Sequence, residues 1–360
     1  MQQKNYISSF TENKMKIKAV FLTRFFFISM CLILIMNICV VYGSVDINLW
    51  DTGRIVFGAI TGKFPSDIPE RFIPIVLGVR LPRVLMSGLV GASLSISGAA
   101  MQGLLKNPLA DGTTIGVSSG ASLGAVIAIA FSAKSTLVSG LGTFLMSILF
   151  SFASICLILF LAKIIDFTLS TNTVILIGVI YSMFASSITS LITTLADKEI
   201  KNIVFWSMGS IAGSTYEEVV LMTVILIICS FVLMRNGVEL NAFAIGEENA
   251  MHVGVDVRRV KLRIMALVSI LIGVSVSISG TIGFVGLVIP HITRIFTGPN
   301  HKKLLPISMA IGAGFLMLAD MFCRTMFSPI ELPIGIITSF IGSILFVFIM
   351  IRKNSNKFRG

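Results

Sequence analysis

Charge is what this sequence has least of for its length. Only 12% of its 360 residues are Asp, Glu, Lys or Arg, where a soluble domain carries about a quarter. A surface so poor in charge faces lipid rather than water. Histidine is scarcer still: there are three, and only His291 falls within an apolar segment. There is no HExxH pair and no cluster of acid with histidine, so an intramembrane enzyme has neither a metal site nor a nucleophile–base pair to work with. No GxxxxGK[ST] loop is present either. Gly62-Lys63 lacks both the spacing and the hydroxyl, which removes the usual ATP cradle. The five cysteines, Cys31, Cys39, Cys156, Cys229 and Cys323, make no CxxC pair and lie in or beside apolar runs, which argues against a disulfide framework or a zinc site. The formal charge is +11, but the basic residues form no patch interleaved with aromatics. They stand at the ends of apolar runs, as orientation signals and snorkelling side chains do, and nucleic acid is not an expected partner.

What is present is hydrocarbon: 55% of residues are hydrophobic and the mean hydropathy is +0.95. Barrel strands would alternate polar and apolar residues, and that period is missing. A helix needs about 20 apolar residues to cross the bilayer. On that criterion the chain is an all-α polytopic membrane protein of about ten spans, at 20–42, 84–105, 114–131, 137–161, 173–195, 217–235, 263–280, 283–297, 304–323 and 333–351. The first run, Phe21 to Tyr42, is longer than a signal core and lacks a small-x-small cleavage site, so a retained helix is expected. The eighth span is short and interrupted by Pro290. A broken helix survives in lipid only where protein or a water-filled cavity satisfies the freed backbone groups, which points to a pathway nearby.

Lys and Arg in short loops and tails set orientation. Lys4, Lys14, Lys16 and Lys18 in tail 1–19, and Arg352, Lys353, Lys357 and Arg359 in tail 352–360, place both termini in the cytoplasm. An even number of spans requires the same. Between them, 20–351 is expected to be one transmembrane domain with a cytoplasmic loop at 240–261, and Lys163, Lys302 and Lys303 also fall inside. The loop from Gly43 to Pro82 must then be outside although it carries Arg54, Lys63, Arg71 and Arg80, with Arg83 just beyond it.

The sequence repeats itself. Gly91-Ala-Ser-Leu-Ser-Ile-Ser-Gly98 recurs as Gly273-Val-Ser-Val-Ser-Ile-Ser-Gly280, and Pro108 and Pro290 keep the same offset from their copies. The copies fall on the second and seventh predicted spans, which cross in opposite directions. Inverted-topology repeats of this kind place a solute path where the halves meet. Gly88, Ala92, Ser95 and Ala99 share one helical face, and small residues at that spacing let backbones approach closely. The polar members, Ser95, Ser97, Gln102, Ser277 and Ser279, are candidates to line a weakly polar path; tight packing alone is the alternative. Ion-coupled carriers keep an ionisable group near mid-membrane, whereas Asp320 and Glu331 lie toward helix ends. An ion-coupled secondary transporter of a small organic solute is therefore the second reading, and a motor on another subunit the first.

Several blocks, in order, resemble a known family: Arg80-Leu-Pro-Arg83, Gly98-Ala-Ala-Met-Gln-Gly103, Asn107-Pro-Leu-Ala-Asp111, Gly116-Val-Ser-Ser-Gly-Ala-Ser122, Trp206-Ser-Met-Gly209, the run from Gly280 to Arg294 that contains Pro290-His291, Leu318-Ala-Asp320 with Arg324, and Glu331-Leu-Pro-Ile-Gly335. They are similar to the FecCD family, permease subunits of type II ABC importers for iron–siderophore, haem or cobalamin. Two positions depart from the family pattern: Gly112 replaces a proline, and Gly342-Ser-Ile-Leu-Phe346 replaces a proline-containing turn. The resemblance implies a homodimer, or a pair of similar permeases, in the cell membrane with the path between them. It further implies two ATPase subunits on the cytoplasmic face, a binding protein or lipoprotein outside, and no cofactor held by the chain itself. Ferric siderophore is the expected cargo. By the same resemblance Arg80, Arg83 and Arg324 dock the binding protein. Gly246, Ala250 and Gly254, in the segment from Ala244 to Val255, belong to a short helix that couples to the ATPase. Thr171 and Asn172 mark the cytoplasmic gate, unless they simply cap the fifth span.

Overall fold

The computed structural model describes residues 26–64, 67–112, 115–132 and 141–357. The predicted tail 1–19, the starts of the first, third and fourth predicted spans, and residues 358–360 of the predicted C-terminal tail lie outside those residues. Among the described residues every regular element is helical: α1 Phe26–Val41, α2 Leu49–Thr61, α3 Phe72–Leu104, α4 Val117–Ser132, α5 Leu141–Ile165, α6 Thr171–Leu195, α7 Ile200–Ser207, α8 Tyr216–Arg235, α9 Gly237–Ile245, α10 Glu247–His252, α11 Val257–Ser279, α12 Val285–Thr297, α13 His301–Thr325 and α14 Ile334–Lys357. Six of these, α3, α5, α6, α8, α11 and α13, are long and apolar enough to cross a membrane, and α1, α4, α12 and α14 contain shorter apolar stretches. The ten apolar helices fall on the ten predicted segments.

The two copies of the repeat run in opposite directions. Helix α3 starts beside the start of α8, where the Tyr216 hydroxyl donates to the Leu77 carbonyl. It ends beside His301, whose ring packs on Gly103 and whose N–H reaches Asn241 on α9. Helix α11 starts at the α9–α10 end, with Lys261 on Glu247, and finishes at the opposite end, where Ser279 O accepts from Ser210 N, shortly before α8 begins. The copies also pack alike. A Cβ on Gly91 would stand 2.2 Å from Gly312 O on α13, and one on Gly273 would stand 2.2 Å from Ser151 Oγ on α5. Equivalent glycines on the second and seventh apolar helices thus admit the ninth and the fourth, which keeps the five-helix offset of an inverted repeat.

Two local expectations are corrected. First, the segment 43–82 is not a plain loop: it holds α2 and the first turns of α3, so Arg80 and Arg83 stand on a helix. Pro82 lies inside that helix without an N–H to donate. The helix widens there into a π stretch, Ile75–Arg80, in which Leu81 N–H reaches Val76 O, and Leu77 O, five residues before Pro82, receives Tyr216 instead. Second, Pro290 does not break the eighth span. Helix α12 is continuous over 13 residues. The carbonyl that Pro290 leaves without a donor is that of Gly286, and the Gln102 amide reaches it at 3.4 Å and Leu287 O at 3.1 Å. Protein, not a cavity, satisfies the backbone here.

Candidate functional site

At the α8-start end, five charged side chains converge. Arg80, Arg83 and Arg324 are 4%, 6% and 3% exposed. Arg80 donates to Val40 O, Val41 O and Val45 O, and Arg324 Nη2 donates to Cys39 O at 2.6 Å. These are carbonyls at and just beyond the C-terminus of α1, where a helix leaves acceptors unpaired and a cation is favoured. Arg83 pairs with Asp320 at 3.0 Å and Glu331 at 2.7 Å, and Arg324 pairs with Asp320 at 3.2 Å. The expectation that these three arginines meet acids on a docking partner does not fit their placement. The donors that find partners do so on carbonyls and acids of the chain itself, and the side chain of this cluster nearest the surface is the acid Glu331. The RLPR spacing could not show this, because Asp320 lies 237 residues from Arg83.

At the other end, the residues expected for a gate and for the coupling segment come together. The helix bounded by Gly246 and Gly254 is present as α10, following α9 directly. Gly246 (φ 141°) forms the joint and Gly254 (φ 87°) the exit. Ala250 is fully buried beneath it, whereas Ile245, Met251 and Val253 are 75%, 55% and 73% exposed. Those three side chains were not singled out by the sequence. Their signal is apolar residues in a short segment otherwise rich in acid, amide and glycine.

Thr171 opens α6, but the cap is the preceding residue: Ser170 Oγ accepts from Thr173 N. Thr171 instead donates to Glu247 Oε1 at 2.9 Å, while Asn172 is exposed. The loop before it is shaped by Asp166. One carboxylate oxygen accepts from Thr168 N and Oγ1 at 2.9 and 2.6 Å, the other from Ser170 N at 3.0 Å. Hydrogen bonds from Thr168 and then Ser170 hold the Asp166 carboxyl well below the usual carboxylate range. A lowered value means the stabilisation is present above the unfolded pKa of about 3.9 and is lost as pH falls through the folded one. The loop therefore stays tied throughout the neutral range. In Asp166→Ala the amides of Thr168 and Ser170 should exchange with solvent about tenfold faster, the scale of a lost hydrogen bond to a charged group; unchanged exchange would show that something else holds the loop.

The five candidate path residues are inside the subunit. Ser95 Oγ donates to Ser308 O on α13 at 2.8 Å, Ser277 to Val274 O, and Ser279 to Ser275 O. Ser97 is 1% exposed, and Gln102 serves the proline-freed carbonyl described above. None of them faces an open surface of the chain, so tight packing is the reading that the structure supports. Exposed hydroxyls lie elsewhere. On α6, the most exposed of the six long helices, Ser186, Ser187, Ser190 and Thr194 face outward beside Met183, Phe184 and Leu191. Ser187 and Thr194 donate to carbonyls one turn back, at 2.9 Å each, which lowers the cost of exposing them to an apolar medium.

The chain matches the FecCD transport family over residues 31–352. It is 45% identical over 81% of its length, and 83% of the relative, to the uncharacterized ABC transporter permease protein YvrB of Bacillus subtilis (strain 168). To the cobalamin import system permease protein BtuC of Halobacterium salinarum it is 36% identical over 83% and 80% of the two chains. Its fold is similar to a solved metal-chelate type ABC transporter in an inward-facing conformation, with a TM-score of 0.77 and 33% identity over 91% of this chain and 98% of that one.

Proposed function

The chain belongs to the FecCD transport family, a multi-pass membrane permease whose ATP hydrolysis is carried out by partner subunits, and we propose that it carries a ferric siderophore inward across the cell membrane. The observation that carries this reading is the α9–α10 segment, which presents Ile245, Met251 and Val253 to water. Three exposed apolar residues on a short, glycine-jointed helical pair fit a groove on a motor subunit, as an apolar helix face fits a groove elsewhere. The α9–α10 end is taken as cytoplasmic, with Lys163, Lys302 and Lys303 near it, in accord with the positive-inside rule. With ten spans, both termini would lie on that same side.

Cargo is assigned by class. The relatives include a cobalamin import permease and a metal-chelate type ABC transporter. A large, weakly polar solute suits the hydroxyl-and-apolar face of α6, which a second permease copy would cover to enclose a path. A binding protein or lipoprotein would deliver the solute at the opposite end. Ion coupling is not favoured, because Asp320, the acid within α13, is already bracketed by two arginines.

The test is uptake of a ferric hydroxamate siderophore into proteoliposomes holding the permease with its ATPase and binding-protein partners. Uptake should require ATP on the α9–α10 side and survive an uncoupler; uptake abolished by the uncoupler would sink the reading. Met251→Asp sets a charge against an apolar groove and should cut ATP-driven uptake at least about tenfold without loss of folded protein, since Met251 touches water in the isolated chain. Gly254 meets nothing within 4 Å, so Gly254→Val acts only through its left-handed backbone, at a cost of about 1–2 kcal/mol, and is expected to lower uptake less than Met251→Asp does.

A further inference from the structure

Lys261, near the base of α11, is 1% exposed, and a lysine is almost never buried unless paired. Its ammonium donates to Glu247 Oε2 at 2.6 Å and to Leu169 O at 2.9 Å. The second oxygen of the same carboxylate accepts from Thr171 Oγ1 at 2.9 Å. One carboxylate at the start of α10 therefore ties together the first residue of α6, the base of α11 and, through Lys261, the loop before α6. That loop is held in an unusual shape: Leu169 has φ 54° without being glycine, and such residues persist only where the surroundings enforce them. Here the enforcing contacts are Lys261 on the Leu169 carbonyl and Asp166 on the flanking residues.

We propose that Glu247 is the positioning residue that passes displacement of α10 to the gate end of α6, acting through its Thr171 hydrogen bond while Lys261 holds the carboxylate. The inference rests on the reading that α10 meets a motor subunit. Among the described residues this is the hydrogen bond shown between α10 and α6. The Glu247 carboxylate is held from both sides, by Lys261 at 2.6 Å and Thr171 at 2.9 Å, so a shift of α10 is passed on rather than absorbed by slack. Lys261 keeps the carboxylate aimed even though Glu247 itself is only partly buried. Gly246, immediately before Glu247, lets α10 pivot without dragging α9 along.

The test uses the assembled transporter with its ATPase subunits in proteoliposomes and needs no cargo. Two exposed positions, Asn172 on α6 and Glu248 on α10, are each replaced by cysteine and alkylated with a membrane-impermeant thiol reagent, with and without ATP plus vanadate. In the parent protein both reporters should change rate with nucleotide. Thr171→Val should cut the nucleotide response at Asn172→Cys about tenfold, equivalent to ~1.4 kcal/mol of coupling, and leave that at Glu248→Cys in place. Thr171→Ser, which keeps the hydroxyl, should restore it, and Glu247→Gln should behave as Thr171→Val does. If the Asn172 response persists in Thr171→Val, the proposal is overturned. If the Glu248 response disappears along with it, the contact merely holds α10 and the proposal is overturned as well. If neither reporter responds in the parent protein, the motor-driven reading itself fails.

Discussion

Gly98→Val is expected to eliminate folded protein. A Cβ at residue 98 would stand 1.8 Å from Gly286 O and 2.5 Å from the Gly286 carbonyl carbon, where real Cβ atoms essentially never come closer than 3.0 Å. The obstacle is backbone, so no side chain can swing away, and α3 and α12 would have to part by more than an ångström. Parting them also pulls the Gln102 amide off Gly286 O and Leu287 O, which strands a carbonyl that Pro290 cannot serve. Overpacking alone costs about 1–3 kcal/mol and an unsatisfied buried carbonyl about as much again, a large fraction of the 5–15 kcal/mol a domain holds. Gly78 on the same helix is the control, because a Cβ there meets nothing within 4 Å. Monodisperse protein recovered in detergent should fall at least about tenfold for Gly98→Val and stay near parental levels for Gly78→Ala. Equal yields would show that the close approach of α3 to α12 is not what holds the fold.

Asp320→Ala is the second large effect. Asp320 is 1% exposed and sits between Arg83 at 3.0 Å and Arg324 at 3.2 Å. Without it, two buried guanidinium groups face one another with Glu331 as the remaining acid. Removing one partner from a buried ionic group costs about 3–5 kcal/mol, because the remaining charges stay buried without compensation. The thermal unfolding midpoint in detergent should drop by ten degrees or so, and a midpoint within about two degrees of the parent would refute the assignment. The neutral double variant Arg83→Met/Asp320→Leu should be milder than Asp320→Ala, since it removes opposite charges together. Arg83→Glu is expected to fail in folding before any docking defect can be measured, because it sets an acid beside Asp320 and Glu331.

Much of the fold was legible in the sequence because its determinants are local. Span positions follow from runs of apolar residues whose length is dictated by the bilayer, and each of the ten predicted segments holds a helix. The GxSxSISG copies declared two opposed halves, and the contacts of Gly91 and Gly273 display the matching packing. The resemblance marked the segment from Ala244 to Val255 as a short helix, and Gly246 and Gly254 bound it. Other positions misled for a common reason. Pro290 signals a break when read alone, and only the Gln102 amide, arriving from another helix, removes the need for one. Ser95 and Ser277 carry the same hydroxyl whether they face a path or a neighbouring helix.

Composition and periodicity thus determined by themselves that the chain lives in lipid, the repeat that it has two opposed halves, and the resemblance carried by its motif order pointed to a permease family whose motor lies on another subunit. Each of these depends on stretches of adjacent residues, or on two copies of one stretch. The tertiary structure alone decided which polar side chains reach a surface. It turned Arg80, Arg83 and Arg324 inward onto carbonyls and acids, put the repeat's serines into helix packing, and joined Lys261, Glu247 and Thr171 across three elements. The physical reason is that desolvation and pairing depend on distances between residues far apart in the chain, and a buried ion pair leaves no mark on the spacing of its own neighbours.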